Sequence, residues 1–144
     1  MRNEKLAQLI KALKKQVSPE KFNMEAIAIQ NNCYISFSDL NKKDFAECGT
    51  SACALGWYKL LINPELDISY SNSLEKEFNL DSFTVARFFF SGCIVTAKDG
   101  FEYPIKMSEE TTLFEWIDAV EAWLDGGKIT HNSSPIEGFT LIEA

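Results

Sequence analysis

The chain has 144 residues, is 46% apolar with 11 Phe and 3 Trp, and carries 14 Lys+Arg against 21 Asp+Glu, a formal net charge of −7. Such apolar content excludes a disordered polymer, and the negative charge disfavours generic binding to a phosphate backbone. No apolar run approaches the roughly 20 residues that cross a bilayer, so neither nucleic acid nor membrane is expected as a partner.

The length is that of a single domain able to bury about 70% of its unfolded surface. Residues 1–127 read as that domain and residues 128–144 as a C-terminal extension. Met1-Arg2-Asn3-Glu4-Lys5 leads straight into a charged helix with no visible signal peptide, so the four cysteines are expected to be reduced thiols in a cytoplasmic protein. The oligomeric state is left open.

Leu6, Leu9, Ile10, Leu13 and Val17 recur at helical spacing and predict an amphipathic helix over about 3–16. Lys5, Lys11, Lys14 and Lys15 lie mostly off that stripe, as a solvated face does. Ser18-Pro19-Glu20 has the form of a helix start, a cap followed by Pro. Ala26 to Ile29 fits a short helix or an alternating strand equally well. Asn31-Asn32 reads as a turn, Tyr34 to Phe37 as a strand and Asp39 to Glu47 as a polar loop.

The stretch Cys48-Gly49-Thr50-Ser51-Ala52-Cys53-Ala54-Leu55-Gly56-Trp57 concentrates small residues in front of a large aromatic one. With Thr50 as N-cap, Cys53 would lie in the first turn of a helix that Asn63-Pro64 stops. Gly56 would admit a close neighbour, and Trp57 would be buried. Cys48 and Cys53 then have two uses. Either they are small buried packing residues, or Cys53 is a helix-start nucleophile with His131, the sole histidine, as its base. Zinc is poorly served, because one Cys-x4-Cys pair with Cys33 and Cys93 scattered lacks two short knuckles. No metal and no cofactor is expected.

Ser73 to Phe78 predicts a short helix, and Asp81 caps another running to about Phe90. Phe83, Val85, Ala86, Phe88, Phe89 and Phe90 make that second helix apolar nearly all round, which predicts burial on more than one side. Asp99-Gly100 between β-prone runs predicts a hairpin over 93–105. Thr112-x-x-Glu115 is a capping box for a helix carrying Leu113, Trp116, Ile117, Val120, Trp123 and Leu124, closed by Gly126-Gly127. Glu109-Glu110 and Asp118/Glu121 fall where dipole or solvation explains them, and no carboxylate pair stands out as an acid/base couple. An apolar alternation from Phe139 favours a terminal strand.

The predicted fold is therefore mainly α, within the α+β class. Four or five helices surround a central Cys-rich helix, with a small β-hairpin and room for a third strand.

Lys21-Phe22-Asn23-Met24, Cys48 to Trp57, Leu80 to Phe89 and Thr112 to Trp123 together resemble a family of small bacterial and phage proteins without established activity. That family is marked by a Cys-Gly-Thr-x-Ala-Cys-x-x-Gly-Trp motif, matched here by Cys48, Gly49, Thr50, Cys53, Gly56 and Trp57. The hairpin at Asp99-Gly100 looks inserted relative to it, and the tail after Gly127 is this chain's own. The resemblance implies a fold and a prokaryotic or phage origin, and no function. Size and charge point to a small acidic protein that binds and blocks another protein with a basic surface, of the immunity or phage-inhibitor kind. The alternative is a cysteine hydrolase built on Cys53 and His131.

Overall fold

The computed structural model describes residues 3–24, 28–30, 33–34, 50–66, 73–106 and 110–131. The predicted turn at Asn31-Asn32, the loop 39–47, Cys48, Gly49 and the alternation from Phe139 lie outside the described residues, as does the strand predicted over 34–37 beyond Tyr34.

Helix α1 (Glu4–Gln16) begins where Asn3 accepts a hydrogen bond from the Leu6 N–H at 3.0 Å. The Asn3 amide also donates to the Phe78 carbonyl, so one capping side chain ties α1 to a helix far along the chain. Leu6, Leu9, Ile10 and Leu13 are buried as one stripe, and Val17 follows them inside. Pro19–Lys21 forms a single 3₁₀ turn in place of a longer helix.

Of the ambiguous stretch, Ala28 and Ile29 fall in strand β1 (Ala28–Gln30), and Ala26 and Ile27 lie outside the described residues. Strand β1 pairs antiparallel with β2 (Cys33–Tyr34) on one side and β3 (Thr50–Ala52) on the other, in the order β2-β1-β3. Thr50 is therefore not a helix cap. The strand takes Thr50 to Ala52, and Cys53 becomes the N-cap of α2 (Ala54–Leu61), with no side-chain capping bond. The cysteines predicted to enrich a central helix lie outside it, because pairing with β1 holds the preceding residues extended. Every residue of α2 from Ala54 to Leu60 is buried. The Trp57 indole N–H donates to the Lys21 carbonyl at 3.0 Å.

Helix α3 (Ser73–Phe78) ends at Asn79, whose φ of 54° reverses the chain. Helix α4 (Ser82–Ala86) starts on Asp81, which accepts from the Thr84 N–H at 2.7 Å, and widens into a π-helical turn at Arg87–Ser91. The phenylalanines divide between inside and outside. Phe88 and Phe89 are buried, whereas Phe83 and Phe90 stand 38% and 49% exposed. The predicted burial on more than one side holds, with Val85, Phe88 and Phe89 inside, while Phe83 and Phe90 face outward.

A second antiparallel sheet follows, in the order β5-β4-β6: β4 (Cys93–Thr96), β5 (Glu102–Ile105) and β6 (Lys128–His131). The predicted hairpin is β4–β5. Lys128–His131, placed by the sequence in an extension, is a strand of this sheet. Helix α5 (Leu113–Leu124) carries the predicted capping box, with Thr112 accepting from the Glu115 N–H and Glu115 accepting from the Thr112 N–H. Its Trp116 is fully buried, donates to the Phe88 carbonyl at 3.1 Å and meets Phe89 at 6.0 Å and Phe22 at 6.4 Å between ring centroids. Phe89 continues to Phe78 and Tyr58, so an aromatic chain links α5, the π turn, α3 and α2. The described part is helix-rich with two small sheets, and no described helix is long and apolar enough to cross a membrane.

Candidate functional site

Two places can be weighed, the thiols and the cleft beside the hairpin. Cys53 is only 4% exposed, and burial pushes its thiol up from the ordinary 9.0, against the lowering effect of the N–H groups of Gly56 and Leu55 at the start of α2. The helix start does what electrostatics predicts, but desolvation outweighs it, and a neutral thiol is a poor nucleophile. His131 sits on β6 opposite Ile94, in a different sheet from the β3–α2 junction that holds Cys53. Cys93 is likewise buried and free, its thiol pushed by burial up to about 12 despite the Arg87 charge nearby. Gly56 and Trp57 are interior, Thr50 is in β3, and Cys48 and Gly49 are outside the described residues. Among the described residues no group of three or more His, Cys, Asp or Glu is placed to hold a metal ion.

The second place starts from the turn. The Gly100 N–H donates to the Ala97 carbonyl and the Ala97 N–H to the Phe101 carbonyl, both at 2.9 Å, with Gly100 at φ 89°. This is the three-residue hairpin in which a left-handed glycine closes the loop. The Asp99 carboxylate accepts from the Phe101 N–H at 3.0 Å and stiffens it. The Ala97–Phe101 pair is hydrogen-bonded, so alternation along the ladder points the main-chain groups of Glu102 and Pro104 away from β4. Pro104 thus removes a donor from the outer edge of β5, which discourages the addition of another strand there.

The hairpin is held against α5 by the reversal that follows the helix. Gly126, at φ 106°, turns the chain, and the Gly127 N–H donates to the Ala122 carbonyl at 2.9 Å. A Cβ on Gly127 would stand 2.7 Å from the Ala122 carbonyl oxygen and 2.8 Å from that of Thr96, so only glycine lets β6 leave the helix this close to β4.

Between hairpin and helix lies an open cleft of about 390 Å³. Ala97, Ala122 and Tyr103 supply its apolar part. Asp118 and Glu121 line it from α5, Asp125 from the helix cap and Asp99 from the turn, and Lys98 is the one cation lining it among the described residues. Glu121 binds Lys14 of α1 at 2.9 Å, while Asp118 and Asp125 enter no ion pair among the described residues. Phe101, 61% exposed, packs on Tyr103 with ring centroids 4.8 Å apart. Beyond Glu121 a second open groove of about 600 Å³ runs along α1 past Ala7, Ile10 and Lys14.

Sequence reasoning missed the cleft. Asp118 and Glu121 read as an ordinary solvated face, and nothing local says that the hairpin tip lies opposite them. The available signal was the repetition of carboxylates at 118, 121 and 125 on one helix face. Comparison of the chain with protein-family models, with curated proteins and with solved structures finds no match.

Proposed function

We propose that this is a small interaction protein that binds a basic surface of another protein and thereby blocks or neutralises it. The observation that carries the proposal is the cleft between the hairpin and α5, whose lining among the described residues holds four carboxylates, one of them paired with Lys14, and one lysine, beside an exposed phenylalanine. Two physical effects then cooperate. The net charge of −7 and the concentration of carboxylates steer a basic partner to this face. Phe101 supplies an aromatic anchor of the kind that dominates interface energies, already backed by Tyr103. The Pro104 edge favours docking through side chains over strand addition. Burial of Cys53 and its raised thiol weigh against the hydrolase alternative.

The test is a paired capture at low salt, with the wild-type chain and the Asp118→Asn/Asp125→Asn variant as baits against lysate of the native host. Basic proteins held by the wild type and released by the variant, and by raised salt, are expected. The same set held by both baits contradicts the proposal.

A further inference from the structure

We propose that the cleft between the hairpin and α5 receives an arginine side chain of the partner, and that Lys98 occupies its mouth until the partner arrives. This rests on the docking role proposed above and specifies what the cleft recognises. Tyr103 lines the cleft together with Asp118 and Asp125, which are not ion-paired among the described residues. A guanidinium is planar and weakly hydrated, so it can stack on a ring while its forked donors reach carboxylates at the edge. An ammonium group is compact and strongly hydrated, and it gains less from the same ring. Complementarity of charge selects a cation, and the aromatic ring selects the flat one.

Lys98 supports the assignment from the other side. It lies across the C-terminal turn of α5, its Cε 2.4 Å and its Nζ 3.0 Å from where a Cβ on Gly126 would stand. Glycine at 126 leaves it that space, and the negative end of the helix dipole favours a cation there. It lines the cleft without forming an ion pair to any described carboxylate. The chain's own cation therefore offsets the local charge while Asp118 and Asp125 keep no ion pair among the described residues.

The experiment follows the amide resonances of the full chain during titration with a short capped arginine-rich peptide and with its twin bearing lysine at each arginine. The arginine peptide should shift Lys98, Tyr103, Asp118 and Asp125 and bind roughly fivefold more tightly than the lysine peptide. Lys98→Ala should tighten binding, and Tyr103→Leu should erase the preference for arginine while some affinity remains. Should Tyr103→Leu unfold, Asp118→Asn, at an exposed position, should weaken both peptides in a folded chain. Equal affinity of the two peptides at the cleft overturns the arginine assignment and leaves an acidic docking face standing. Shifts that avoid the cleft altogether overturn both.

Discussion

Gly127 shows how one missing methyl group sets the geometry of the cleft. The two atoms that an added Cβ would strike, the carbonyl oxygens of Ala122 and Thr96, belong to the backbone of α5 and β4 and cannot swing aside. Gly127→Ala should therefore lower stability by about 1–3 kcal/mol, as overpacking does, and reduce the urea midpoint accordingly. An unchanged midpoint would mean that β6 does not pass this closely. Cys93 tests burial at the same scale. Its thiol keeps its proton in the folded chain up to about 12 but loses it near 9.0 when unfolded. Unfolding then releases a proton in that window, so this contribution is intact below pH 9.0 and is lost as the pH climbs towards about 12. Cys53 and Tyr58, both raised by burial, act in the same direction. Urea midpoints measured across the alkaline range should fall with pH, and Cys93→Ala should make the decline shallower. A parallel decline in the variant would contradict the burial of this thiol.

Local capping chemistry positions the helices, which is why they were legible in the sequence. Asp81 and Thr112 each satisfy a first-turn N–H within three residues, so their signals lie inside the segments they start, whereas α1, capped by Asn3, was read from its apolar stripe. Thr112→Ala should cost about 1 kcal/mol and lower the thermal midpoint, and a loss below a few tenths would show that the box is decorative. The strands were harder to see. Alternation over Ala26 to Ile29 suits both periods, and only pairing with β2 and β3 decides Ala28 and Ile29 as strand. Thr50-Ser51-Ala52 has no strand composition, so its extended form comes from β1, and Cys53 is displaced to the cap. β6 is short and follows two glycines, and its partner β4 lies beyond the whole of α5. The π turn at Arg87–Ser91 leaves no mark in apolar spacing, and Phe90 within it stands 49% exposed.

Across the whole molecule the same division holds. Core membership followed from residue type: the α1 stripe, Trp57 and, on α5, Leu113, Trp116, Ile117, Val120 and Leu124 are buried as their spacing implied, with Trp123 half-buried. The cleft did not, because its carboxylates come from Asp99 and from α5, separated in the chain by β5 and the connection after it. Long-range charge, an aromatic hairpin tip and a protected sheet edge converge only in three dimensions, and together they support docking on a basic surface. The most direct test is carbodiimide crosslinking of the captured partner to the full chain, followed by peptide mapping. Crosslinks from partner lysines that flank the docked arginine should fall on the carboxylates of this face, among them Asp118, Glu121, Asp125 and Asp99. Crosslinks confined to carboxylates far from the hairpin, such as Glu20 or Glu65, would contradict the account.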